Sequence, residues 1–171
     1  EKFTVMVMGG GDGVGDIYGI TEDLACRGGA SVPAQSLDIQ VITVAGRNGR
    51  LLRKLERLKG KELKVFGYTD RISDLMDASD VLITKAGPGT IMEAISKELP
   101  MIITGRTLSQ EIGNVEFVRT KGLGWVVSDR WEAVECLREI FEHRDVLNEI
   151  RGNIRNVKEP GGALEIARLI K

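Results

Sequence analysis

The sequence predicts an α/β fold, a Rossmann-like three-layer sandwich on a six-stranded parallel sheet, and three observations carry that prediction. Short apolar runs alternate along the chain with segments of helical periodicity, the order that right-handed βαβ crossovers require. The apolar runs are mostly continuous rather than alternating, as in strands covered on both faces. Glycine is abundant, with 21 in 171 residues against an average of about 7%. Many of these glycines stand where an apolar run ends and a helical segment begins. The length suits one domain.

The elements follow in order. Phe3 to Met8 is the first strand, in which Thr4 alone is polar. It runs into residues 9–15, GGGDGVG, and a helical segment follows to about Arg27, stopped by Gly28 and Gly29. Residues 31–36 read as a loop and Ile39 to Val44 as the second strand. Asn48 can cap a helix carrying Leu51, Leu52, Leu55 and Leu58, with Gly60 as its stop. Leu63 to Phe66 is a short third strand, and Asp70 is expected to cap a helix with Ile72, Leu75 and Met76 inward. Residues 81–83 form the fourth strand, with a helix after Thr90, and residues 100–103 the fifth. Ser109 is expected to cap a helix facing inward with Ile112, Val115 and Val118 and ended by Gly122. Residues 125–127 form a short sixth strand. The remainder is helical, with Trp131, Val134, Leu137 and Phe141 on one face and Val146, Ile150 and Ile154 on another. A last helix runs from about Gly162 to Ile170, after the breaker Pro160-Gly161. Trp125 and Trp131 read as packing residues and His143 as a surface residue.

Composition narrows the function. Apolar residues make up 42% and charged residues 29%, ordinary for a globular protein, and the net charge of −1 leaves no basic footprint for nucleic acid. No apolar run approaches the roughly 20 residues of a spanning helix. Cys26 and Cys136 stand far apart outside any C-x-x-C pattern, which points to a reducing compartment. With His143 the only histidine, a His-rich metal site is excluded. The first strand begins almost at Glu1, so a domain cut from a longer protein is expected.

In doubly wound sheets ligands bind beyond the carboxyl ends of the strands, at the switch point. The informative loops are therefore residues 9–15, 46–48, 67–70, 85–90 and 104–114. Glycine lets backbone approach a ligand closely, and helix N-termini offer free N–H groups to phosphate oxygens, so an anionic, phosphorylated ligand is expected. A dinucleotide fingerprint fails: counted from Gly9, Gly11 or Gly13, its last glycine is replaced by Val14, Asp16 or Tyr18. The second strand ends in Ala45, Gly46 and Arg47 rather than in an acidic ribose ligand, and no glycine–lysine pair is followed by Ser or Thr as a P-loop needs.

Residues 8–13 (MGGGDG), 45–48 (AGRN), 67–68 (GY), 80–93 (DVLITKAGPGTIME) and 110–114 (QEIGN) occur in that order. Together they resemble the C-terminal, nucleotide-sugar-binding half of GT-B glycosyltransferases. The likeness is nearest to the monogalactosyldiacylglycerol synthase and diacylglycerol glucosyltransferase family and more distant to the peptidoglycan N-acetylglucosaminyltransferase. The resemblance covers about Phe3 to Trp125. It implies that Gly10, Gly11, Asp12 and Gly13, with the N–H groups around Gly87, Gly89 and Thr90, cradle a diphosphate. Arg47 and Lys85 are the candidate cations there, and Asp12 either touches a ligand or shapes the turn. It assigns the base to Tyr68 and Thr69 and the ribose hydroxyls to Glu93, although Glu93 also stands at capping-box spacing from Thr90. Gln110, Glu111 and Asn114 are implied to grip the donor sugar, an ordinary polar first helical turn being the alternative.

The implied parent enzyme moves a hexose from a UDP-sugar to a lipid hydroxyl with inversion, without metal or other cofactor, UDP-sugar being a substrate. Asp-x-Asp, the usual metal-binding triplet, does not occur in the sequence. No catalytic residue is expected in this chain, because the family's general base belongs to an N-terminal acceptor domain. The expected partners are UDP or UDP-sugar, that acceptor domain and, through it, a lipid. The expected location is the cytoplasm, at the inner membrane face in the full-length protein. A non-catalytic nucleotide-sugar-binding subunit and one half of a UDP-sugar epimerase are the alternatives.

Overall fold

A computed structural model of the chain describes residues 2–25, 37–58, 60, 62–105, 109–158 and 162–170. Six strands, β1 (Phe3–Met8), β2 (Ile39–Val44), β3 (Leu63–Phe66), β4 (Val81–Thr84), β5 (Met101–Ile103) and β6 (Gly124–Val126), form one sheet. Their order is β3-β2-β1-β4-β5-β6, and every pairing is parallel. The strand order reverses direction between β1 and β4, which places the switch point at the carboxyl ends of these two strands. Val7 stands beside Ile83 and Met8 beside Thr84 in that central pair.

Strand geometry sends successive side chains to opposite faces, so β1 feeds two cores. Phe3, Val5 and Val7 pack under α1 (Ile17–Ala25), α2 (Gly49–Leu55) and α6 (Arg130–Glu142). Met6 and Met8 pack on the other face under α3 (Ile72–Asp77), α4 (Pro88–Ser96), α5 (Ile112–Thr120) and α7 (Val146–Val157). Burial on both faces is the physical reason the strands read as continuous apolar runs. Trp125 is half-buried and touches both cores, and the free Cys136 packs against the first. A final helix, α8 (Gly162–Leu169), closes the described chain. None of the described helices is long and apolar enough to cross a membrane.

Several expected boundaries shift. Asp70 does not cap α3: Arg71 holds the cap position without a side-chain bond, and Thr69 Oγ1 instead accepts the Arg71 N–H at 3.1 Å. Ser109 does not cap α5, because a 3-10 turn over Ser109–Glu111 precedes it and puts Glu111 at the cap position. Ile112, the first residue of α5, is 53% exposed, while Val115 and Val118 are buried as expected. Pro100 precedes β5 and, having no N–H, contributes only its carbonyl, which accepts from Leu82 N at 2.9 Å. Asn48 does cap α2, accepting the Leu51 N–H at 3.0 Å. The stops at Gly28 and Gly29, Cys26 and the loop over residues 31–36 lie outside the described residues.

Candidate functional site

An open cleft of about 990 Å³ lies over the carboxyl ends of β1 and β4, at the switch point. One wall is the glycine loop after β1. Its turn is closed by the Gly13 N–H on Gly10 O at 3.2 Å and the Val14 N–H on Gly9 O at 3.1 Å. The loop is locked to the loop after β2, since Arg47 N donates to Gly11 O at 2.8 Å. Both contacts demand glycine. A Cβ on Gly13, at φ +59, would lie 2.2 Å from Ala45 O, and one on Gly46, at φ +60, 2.4 Å from Gly11 O. Gly10, Gly11 and Asp12 therefore line the cleft, whereas Gly13 is buried behind them with its N–H already bonded inside the loop.

The opposite wall is the start of α4. Gly87 is the N-cap in extended conformation, Pro88 is the first helical residue, and no side chain caps the end. Among the described residues no side chain bonds its first N–H groups, and Gly87, Gly89 and Thr90 line the cleft. Glu93, one turn further, is exposed; a capping box through Thr90 is not formed, because the helix begins at Gly87.

Between the two walls stands a charge pair. Lys85 Nζ donates to Glu111 Oε1 at 2.6 Å, with Glu111 only 6% exposed. Asn114 Nδ2 donates to Ala86 O at 2.9 Å, so the 110–114 segment holds the loop after β4 through two side chains. Gln110 is exposed and lines the cleft.

Arg47, Tyr68, Thr69 and Glu93 lie outside the cleft lining, and the structure gathers only some of them. The Arg47 guanidinium sits 4.8 Å over the Tyr68 ring and 3.4 Å from Asp12 Oδ1, joining the glycine loop to Tyr68. Tyr68 is 65% exposed, so its ring is not a buried packing residue. Among the described residues no group of three or more His, Cys, Asp or Glu side chains converges as metal ligands would.

The sequence profile of the Glycosyltransferase family 28 C-terminal domain matches residues 4–149. The chain belongs to that family. It is 40% identical over 121 residues to monogalactosyldiacylglycerol synthase 1, chloroplastic, of Arabidopsis thaliana, covering 70% of this chain and 22% of the relative. Among solved structures, CalG4, the calicheamicin glycosyltransferase, superposes with a TM-score of 0.75 at 15% identity, over 99% of this chain and 43% of the other. The S. aureus MnaA–UDP structure does so at 0.74 and 13%, over 100% and 46%. The chain spans between 22% and 35% of the length of the plant monogalactosyldiacylglycerol synthases it matches.

In this family 28 domain the loop after β6 forms a further cleft wall that the motif reading passed over. Trp131, expected to pack, is 41% exposed and lines the cleft, with the Arg130 guanidinium 4.3 Å over its ring. Arg130 reaches Asp23 at 3.5 Å and Asp16 at 3.8 Å. Asp16 also accepts the Gly19 N–H at 3.0 Å, and Asp129 caps α6 through the Trp131 and Glu132 N–H groups. Burial pushes the Asp23 carboxyl above its ordinary range, and Arg130 pulls it back down. Carrying the rule about strand carboxyl ends on to β6 would have drawn attention to residues 128–131.

Proposed function

We propose that this domain binds a UDP-hexose in the switch-point cleft and is the donor half of an inverting glycosyltransferase whose acceptor is a lipid hydroxyl such as that of diacylglycerol. The observation that carries the reading is the pairing of two backbone features, the glycine loop at residues 10–12 and the uncapped start of α4, on the two walls of one cleft with Lys85 between them. Both features concentrate positive backbone dipole where a diphosphate's charge would sit. The leaving UDP would thus be stabilised by fixed dipoles and a cation of this chain, with no cofactor required. Uridine would lie toward Tyr68, Thr69 and Glu93, with the Glu93 carboxylate accepting from the ribose hydroxyls. The hexose would extend toward Gln110.

The acceptor hydroxyl must be deprotonated as the anomeric carbon is attacked. We assign that base to the part of the enzyme that the matched relatives have beyond this region, together with the lipid contact and any association with a membrane face. Calorimetric titration with UDP tests the donor reading. Binding by the wild-type chain, weakened about tenfold by Glu93→Ala through loss of charge-assisted bonds, is expected. Absence of UDP binding to the wild type overturns it.

A further inference from the structure

We propose that Arg50 and Arg53 of α2 form an electrostatic guide for the donor: they draw the nucleoside diphosphate toward the switch-point cleft without touching it once it is bound. This rests on the UDP reading above and adds to it the residues that set how fast the donor arrives.

The charge of the chain is unevenly placed. Residues 47–64 hold eight lysines and arginines against two acidic residues, a net of +6, so the rest of the chain, whose total is −1, carries −7. Arg47, Arg50, Arg53, Lys54 and Arg57 are all exposed, on α2, the loop before it and the turn after it. A helix face that is only solvated interleaves its charges, as α6 does where Arg138 pairs with Glu135 and Glu142. Around α2 the pattern is different. Arg47 has an acidic partner, Asp12 at 3.4 Å, but Arg50, Arg53, Lys54 and Arg57 join no ion pair among the described residues.

The fold puts this charge beside the cleft. The loop leading from β2 into α2 is bonded to the glycine wall through Arg47 N and Gly11 O at 2.8 Å. Asn48 Cβ lies 3.1 Å from the place a Cβ on Gly13 would take, so the chain enters α2 directly behind that wall. The Arg53 side chain runs back along the helix, with Nη1 3.7 Å from the place a Cβ on Gly49 would occupy. Asp12 offsets Arg47, and beyond Tyr68 the Arg71 side chain is paired with Asp74 at 3.0 Å. Arg50 and Arg53 are therefore the uncompensated charges nearest the glycine wall. Across the cleft the sign changes: Asp16 and Asp129 stand exposed in its lining, on the side of α1 and α6. A polyanion entering such a field comes in from the arginine side. Neither Arg50 nor Arg53 lines the cleft, whereas Lys85 does. Charges at a rim change the rate of arrival and its salt dependence, while groups that hold the bound ligand change the rate of departure.

The test is a titration of the isotope-labelled chain with UDP, in which NMR line shapes give kon and koff separately. It is run at about 0.01 M and about 1 M salt, where charges reach about 30 Å and about 3 Å, so the guide acts only in the first. In Arg50→Gln/Arg53→Gln, kon at low salt should fall about three- to tenfold while koff stays within about twofold. At high salt this variant and the wild type should coincide. Arg50→Lys/Arg53→Lys keeps both charges and loses both guanidinium forks, so it should keep the wild-type kon. An unmoved kon, a raised koff in its place, a loss that persists at high salt, or a Lys variant as slow as the Gln one would each overturn the guide while leaving the UDP reading in place. A wild-type chain that binds no UDP takes both readings down.

Discussion

Asp23 sits in α1 at 8% exposure with Oδ2 lacking a hydrogen-bond partner among the described residues, opposite the Arg130 side chain at 3.5 Å. Burial raises its carboxyl pKa from the ordinary 3.8 more than Arg130 lowers it. The folded state then binds the proton more tightly than the unfolded chain, so this group favours folding in acid and progressively less as the pH rises above 3.8. Urea unfolding should show the stability of the wild type relative to Asp23→Asn falling as the pH rises through and above the ordinary 3.8. A flat or rising difference would refute the burial account. Gly19 belongs to the same arrangement: a Cβ there would stand 2.4 Å from an Arg130 guanidinium nitrogen and 2.6 Å from Asp16 Oδ2. Its missing side chain is what lets α1 and the start of α6 share these charges.

At the level of elements, β6 is the weak edge of the sheet, three residues long and joined only to β5. Its first residue, Gly124, takes φ +156, and a Cβ there would lie 1.9 Å from the Met101 carbonyl oxygen. No side chain can be fitted there without parting the two strands. Gly124→Ala should therefore cost more than about 2 kcal/mol in unfolding free energy. A loss below about 0.5 kcal/mol, the range of ordinary surface substitutions, would show that the edge relaxes freely. The same edge carries Asp129 and Arg130 into the cleft, so its position decides the shape of that wall.

For the whole molecule, each face of the sheet carries its own core, while the cleft is open and bordered by exposed Val14 and Trp131. A UDP molecule bridging the glycine loop and α4 should stabilise the folded state by mass action. At a free concentration a hundredfold above the Kd, the gain is about 2.7 kcal/mol, visible as a higher urea midpoint. A midpoint that ignores saturating UDP would contradict the proposed donor site. The chain incubated with UDP-hexose and diacylglycerol should show no efficient turnover, since acceptor and base are assigned to the remainder of the relatives' length. Rapid transfer by this chain would disprove that division.

The six strands, their parallel arrangement and the cleft-bordering loops after β1, β4 and β5 were legible in the sequence, because these features are written locally. A continuous apolar run such as Phe3 to Met8 reports burial on both faces, and a glycine at the end of a strand reports a tight turn within a few residues of itself. The Asn48 cap was legible for the same reason, its partner Leu51 being three residues away. The tertiary structure alone decided how those loops meet. Lys85 and Glu111 are 26 residues apart, and Asp23 meets Arg130 across two different helices. The 3-10 turn over Ser109–Glu111, which puts Glu111 at the α5 cap position beside Lys85, is likewise a product of the packed structure. Periodicity records which residues share a face of an element; the contact between faces is set by how the elements pack.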